Sequence, residues 1–148
     1  MDKFKEIVHY FDRAPYALYF FGGKGAERLL LADWEGYFSR AVPISACSSI
    51  EEELEIMREM RAMVTMDSAN MHLASLVNVP VISLWGPTHS YAGFYGFRQD
   101  PLNAVQVNLS CRPCSVFGNN SCWRGDHACM NQITPSMVEE KLLKVLKG

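Results

Sequence analysis

The chain has 148 residues, of which 49% are apolar and 20% charged, with a net charge of −2. That length carries one real core, and the near-neutral balance excludes an electrostatic case for a nucleic-acid partner. No apolar run approaches the ~18 residues of a membrane span, the start Met1-Asp2-Lys3-Phe4 has no signal-peptide pattern, and five cysteines fit a reducing compartment better than a full disulfide framework.

Phe4, Ile7, Val8 and Phe11 recur at helical spacing behind Asp2, a plausible N-cap. Tyr16 to Phe21 is an aromatic, apolar run that reads as a buried strand. Gly22-Gly23-Lys24-Gly25 breaks it, and residues 26 to 33 return to helical composition. The glycine run is neither GxGxxG nor a P-loop, because no Ser or Thr follows Lys24. A plain glycine turn and a turn that leans Lys24 or Glu27 toward a ribose or phosphate both fit.

Val42 to Ile44 has the composition of a short strand. Ser49 and Glu52 form a capping-box pattern ahead of a helix whose apolar stripe is Ile50, Leu54 and Met57. The glutamates at its start suit the positive end of the helix dipole. Ala62 to Met66 is the next strand, followed by a helix from about Ala69 to Val77. Val79 to Trp85 is continuous and β-branched, as a central parallel strand should be.

Residues 86 to 104 read as an aromatic loop with Tyr91, Phe94, Tyr95 and Phe97, and Ala104 to Val107 as a weak strand. Thr134 caps a final helix with Pro135 at its first position and Val138, Leu142, Val145 and Leu146 on its buried face. Alternating strands and helices imply an α/β fold, a Rossmann-like three-layer parallel sheet, in one domain over residues 1–148.

Ligands of open α/β sheets bind outside the carboxyl ends of the strands. Asp67, Ser68, Ala69 and His72 fall at one such end, and Gly86-Pro87-Thr88 at the next. A helix N-terminus offers free N–H groups and positive partial charge to a phosphate. Ser68 and Ala69 are small enough to let a pyrophosphate approach. Asp67 accepts hydrogen bonds from sugar hydroxyls, while Gly86 permits a close backbone approach and Thr88 offers a hydroxyl. The pattern therefore fits a ligand with sugar and phosphate parts. It fits equally a plain N-cap, Asp67 or Ser68, with a surface histidine, and a simple turn after a strand.

Cys111, Cys114, Cys122 and Cys129 are spaced C-x2-C-x7-C-x6-C. Four thiolates at these loop lengths suit a structural, closed tetrahedral zinc site; disulfides and free thiols are the alternatives. Cys47 stands apart as a small buried hydrophobe.

Val64-Thr65-Met66-Asp67-Ser68-Ala69-Asn70-Met71-His72-Leu73-Ala74, followed by Val79-Pro80-Val81-Ile82-Ser83-Leu84-Trp85-Gly86-Pro87-Thr88, resembles glycosyltransferase family 9, the ADP-heptose:lipopolysaccharide heptosyltransferases and their relatives. The shared pattern is D-[ST]-[GA]-x-x-H-L-A, then a proline-led strand and G-x-T. The cysteine-bearing tail and closing helix are similar to those of many members, so the resemblance covers essentially the whole chain.

The resemblance implies the C-terminal, donor-binding half of a two-domain GT-B enzyme. Asp67 would then contact the donor sugar, the Ser68 and Ala69 backbone would hold the diphosphate, and His72 would lie near. Gly86 and Thr88 belong to the second motif. The Gly22–Glu27 turn, with Gly23, Lys24 and Glu27, and the Cys47–Ser49 segment, with Ser48, would lie near the adenosine. The implied donor is an ADP-sugar, ADP-heptose-like, with no cofactor or catalytic metal, and the acceptor a lipopolysaccharide core. The implied location is cytoplasmic, peripheral to the inner membrane.

Three departures stand out. Ala69 replaces the commoner glycine, a lysine motif usually found just upstream of the first helix is outside this sequence, and so is the N-terminal acceptor domain with its expected base. The isolated chain is accordingly expected to be inactive alone, with its aromatic loop from Tyr91 to Phe97 driving weak self-association. A non-catalytic nucleotide-sugar binding module and a zinc-stabilised interaction domain are the alternatives.

Overall fold

The computed structural model describes residues 2–22, 29, 33–34, 36–44, 47 and 49–147. They divide into two compact units, Met1–Glu55 and Ile56–Gly148.

In the first unit, α1 (Asp2–Phe11) is amphipathic. It buries Ile7, Val8 and Phe11, the positions its 3.6-residue spacing selects. β1 (Leu18–Phe21) pairs in parallel with β2 (Ala41–Ile44), Leu18 opposite Ala41 and Phe21 opposite Ile44. Val8, Phe20, Trp34 and Phe38 form an aromatic core with Phe4 and Leu18 packed on it. Its rings meet edge to face, Phe20 to Trp34 at 5.4 Å and Trp34 to Phe38 at 5.8 Å, the geometry that ring quadrupoles favour.

Asp12 ties this unit together in a way the sequence pattern did not reveal. Its carboxylate accepts the backbone N–H of Arg40 at 2.9 Å and of Ser39 at 3.2 Å, plus the Ser39 hydroxyl at 3.1 Å. Burial works to raise its pKa, but these donors and the Arg40 charge outweigh it and hold the carboxyl below its ordinary value. β2 thus begins on a fixed anchor.

α2 (Ile50–Arg58) starts as its capping pattern predicts, the Glu52 N–H donating to the Ser49 hydroxyl at 3.3 Å. The expected apolar stripe is only partly internal. Met57 is fully buried, whereas Ile50 in the first turn is 59% exposed.

The second unit holds a three-stranded parallel sheet, β3 (Met63–Met66), β4 (Val81–Trp85) and β5 (Ala104–Gln106), in that spatial order. Every residue of β4 is buried, because it lies between two partners and is covered on both faces. α3 (Ala69–Leu76) packs on β3 and β4. The longer closing helix, Pro135–Lys147, packs on β4 and β5. Thr134 precedes it as expected, its hydroxyl accepting the Met137 N–H at 3.4 Å. Of its apolar face Val138 is fully buried, while Leu142, Val145 and Leu146 are half-buried. Arg61 donates to the Leu146 carbonyl at 2.9 Å, satisfying one of the last-turn acceptors of that helix.

The expected α/β class with parallel strands is present. The strands form two sheets among the described residues, of two and three strands, where the composition pattern alone suggested one. The helical composition of residues 26 to 33 falls largely outside the described residues.

The long β4–β5 connection is pinned at its far end by Gln99. Its side-chain oxygen accepts the Val81 N–H at 2.8 Å and its amide donates to the Val79 carbonyl at 3.0 Å, so the side chain acts as a short extra strand. Tyr95 turns inward, stacked on Trp85 at 5.9 Å with its hydroxyl donating to the Asp100 carbonyl at 2.9 Å. Tyr91, Phe94 and Phe97 instead face outward, at 88%, 38% and 65% exposure. The aromatic loop therefore contributes one ring to the core and three to the surface.

Candidate functional site

Strand register places both motif turns at the carboxyl end of the three-stranded sheet. Met66 pairs with Leu84 and Trp85 with Gln106. Asp67 therefore leaves β3 level with Trp85, one step before the Gly86 turn begins.

Asp67 is half-buried, and no hydrogen bond or ion pair joins its carboxylate to another described residue. Ser68 occupies the N-cap position of α3 with extended backbone, but its side chain makes no capping bond. Its hydroxyl is instead 2.9 Å from the Thr65 hydroxyl. Thr65 is buried on β3, and a buried hydroxyl needs a partner; Ser68 supplies it. The serine read as a helix cap is thus committed to the strand below. Ala69 is exposed as the first residue of α3, and His72, also exposed, lies on that helix without a hydrogen-bonded partner among the described residues.

The second turn is more enclosed than its composition suggested. A Cβ at Gly86 would come within 2.5 Å of Met130 Sδ and 2.8 Å of Met130 Cγ. The space that the missing side chain leaves is filled by a protein side chain rather than kept for a ligand. Thr88 is 5% exposed, so its hydroxyl is largely withdrawn from solvent. The turn's carbonyls face the cysteine segment. Pro87 O accepts the N–H groups of Cys114 at 3.1 Å and Ser115 at 3.3 Å. Gly86 O and Thr88 O accept from the Arg112 guanidinium, the latter at 2.9 Å. Gly23, Lys24, Glu27 and Ser48 lie outside the described residues.

Arg112 and Met130 escaped the sequence reading. Arg112 binds main-chain carbonyls 24 and 26 positions away, acceptors that every residue carries and no motif marks. The sole hint was a cation inside a Cys-x-x-Cys.

The four cysteines are free thiols. No three His, Cys, Asp or Glu side chains among the described residues form a group that could hold a metal ion. The thiols differ in character. Backbone N–H donors, first that of His127 and then those of Arg124 and Gly125, pull the Cys122 thiol below its ordinary value against burial. Burial instead pushes Cys129 up. Cys47, read as a small buried hydrophobe, is half-buried.

A short helix, α4 (Ala128–Asn131), carries Cys129 and Met130 against the turn. Asp126 organises its start, accepting the Ala128 N–H at 3.2 Å and pairing with Arg124 at 2.8 Å. The Arg124 side chain first, then the Ala128 N–H, holds the Asp126 pKa at about 2. A carboxyl depressed in the fold stabilises it above the unfolded value and loses that contribution as pH falls through the folded one. The loss should therefore run from just under pH 4 down to about 2. Carbon-detected NMR titration should find the Asp126 midpoint near the bottom of that window, and Arg124→Ala should move it upward. A wild-type midpoint at the ordinary aspartate value would show that the pair does not form in solution.

The family model described as glycosyltransferase family 9 (heptosyltransferase) matches residues 1–121. The chain belongs to glycosyltransferase family 9. The family match includes both turns and the first cysteine pair and stops short of Cys122 and Cys129. Similar relatives are two lipooligosaccharide heptosyltransferase 2 proteins. That of Campylobacter jejuni subsp. jejuni serotype O:2 is 29% identical over 57% of this chain and 25% of its own. That of Haemophilus influenzae is 30% identical over 71% of this chain and 29% of its own. The chain thus spans under a third of the length of either. The fold is similar to that of a solved family 9 glycosyl transferase from Veillonella parvula, with a TM-score of 0.67 at 20% identity, covering 99% of this chain and 41% of that one. No helix among the described residues is long and apolar enough to cross a membrane.

Proposed function

We propose that this chain is the donor-binding part of a sugar-nucleotide-dependent glycosyltransferase, heptosyltransferase-like, that acts in lipopolysaccharide core synthesis. The observation that carries the reading is Asp67: a half-buried carboxylate at a strand's carboxyl end, uncommitted to any other described residue, beside a helix N-terminus. A structural aspartate in that position would be expected to hold a cap or an ion pair. An uncommitted one is set to accept hydrogen bonds from the hydroxyls of a sugar, with the diphosphate toward the small residues Ser68 and Ala69. The donor is an ADP-sugar of the ADP-heptose type, and a lipopolysaccharide core acceptor and the base for an inverting transfer come from elsewhere in the whole protein. With Asp67 given to the donor sugar, orienting an acceptor and removing its proton fall to groups elsewhere in the whole protein, so this chain by itself should bind donor without transferring it.

Calorimetric titration with ADP and with an ADP-sugar, beside Asp67→Ala, tests the reading. The variant should lose about tenfold in affinity for the ADP-sugar, the worth of a hydrogen bond to a charged group, and keep its affinity for ADP. Equal losses for both ligands would move Asp67 off the sugar. Binding without turnover in the whole protein would favour a non-catalytic nucleotide-sugar module instead.

A further inference from the structure

The Arg112 guanidinium is half-buried, and no carboxylate pairs with it among the described residues. Burial lowers its pKa, with the neighbouring Cys129, Cys111 and Cys114 acting in the opposite sense. A half-buried cation is costly unless its donors are satisfied, and here main-chain and amide oxygens satisfy them. Nε donates to Gly86 O, Nη2 to Thr88 O at 2.9 Å and Gln106 Oε1 at 3.1 Å, and Nη1 to Val107 O. Two of these acceptors belong to the turn after β4 and two to the end of β5 and the residue beyond it. The third turn carbonyl, Pro87 O, is taken by Cys114 and Ser115 from the same segment.

We infer that Arg112 is the positioning residue of the Gly86–Thr88 turn, cross-linking it to the end of β5 and setting the backbone conformation that the turn presents at the carboxyl end of the sheet. With four of its five N–H donors committed to these acceptors, it serves the turn rather than a phosphate. A planar fork bridges four acceptors at fixed angles, whereas an ammonium is a compact charge on a flexible stem. Lysine should therefore keep the charge and lose the function. The link to donor affinity rests on the donor-binding reading above; the link to turn conformation does not.

The two links are tested together on this chain with Arg112→Lys and Arg112→Gln. Hydrogen exchange without ligand should accelerate about tenfold or more at the amides of Cys114 and Ser115, which donate to the turn at Pro87 O, the equivalent of losing one hydrogen bond to a charged group. The amides of Met63 to Met66 should be unchanged, which a general loss of stability would not produce. Affinity for ADP should fall by a similar factor in both variants. Unchanged exchange at the turn, or ADP affinity retained by Arg112→Lys, overturns the inference. Failure of the wild-type chain to bind ADP would count against the donor reading alone, because the exchange comparison still decides the role of Arg112. Should either variant fail to fold, Gln106→Ala removes one anchor of the fork and should give the same pattern at about threefold, a fraction of one hydrogen bond to a charged group because three anchors remain.

Discussion

Trp85→Ala should destabilise the second unit by about 3–5 kcal/mol, the range for deleting a large buried aromatic side chain. Trp85 is wholly buried at the end of β4, stacked on Tyr95 with its ring N–H donating to the Ser83 hydroxyl at 2.8 Å. Truncation leaves a cavity lined by Tyr95 and strips Ser83 of its better partner. Urea unfolding gives the magnitude; a loss under about 1 kcal/mol would mean that the loop collapses into the space.

The same variant carries a second signature. In the wild type burial first, and the Asp100 charge to a lesser degree, raise the Tyr95 pKa above its ordinary 10.0, against the Ser83 hydrogen bond. A phenol raised in the fold contributes stability that is whole below the unfolded pKa and lost as pH rises through the folded one. Opening the cavity to water should return Tyr95 toward its ordinary value, and ultraviolet difference titration would follow it.

Gly96→Ala should cost about 1–3 kcal/mol by overpacking. A Cβ there would lie 2.5 Å from Ser75 Oγ, 2.9 Å from Gln99 Cγ and 3.3 Å from Met71 Cγ. None of these gives way freely. The Ser75 hydroxyl is bonded at 2.6 Å to the Met71 carbonyl in a buried setting, and the Gln99 amide is held by the backbone of Val79 and Val81. Thermal unfolding of Gly96→Ala beside Gly93→Ala separates steric from conformational cost. A Cβ at Gly93 meets nothing within 4 Å but inherits a φ of +89°, so that variant should lose only the strain of a left-handed residue, about 1–2 kcal/mol. Equal stability of Gly96→Ala and wild type would show that the loop moves away from α3.

Elements set by local periodicity were legible in advance. Ile7, Val8 and Phe11 are inside, β4 is buried throughout, and Ser49 and Thr134 start their helices as their spacing predicts. Each depends on residues within a turn or two. The expectations that shifted depend on contacts distant in sequence. Ser68 was diverted from its cap by a buried threonine on β3. Ile50 matches the helical stripe, yet it is 59% exposed. Gly86 reads as room for a ligand until Met130, far along the chain, takes the space.

The sequence by itself determined the class of the fold, the place of both turns at strand ends and the family to which those turns belong, because hydrophobic period and short motifs are written in adjacent residues. Only the tertiary structure decided which polar groups stay uncommitted. Asp67 is left free of other described residues while Ser68 and the carbonyls of Gly86 to Thr88 are consumed within the protein. A hydrogen bond is set by distance and angle in space, and main-chain carbonyls look alike in every sequence. The cysteine segment, whose spacing left zinc, disulfides and free thiols open, holds the Gly86–Thr88 turn through one arginine and two amides that no spacing could mark.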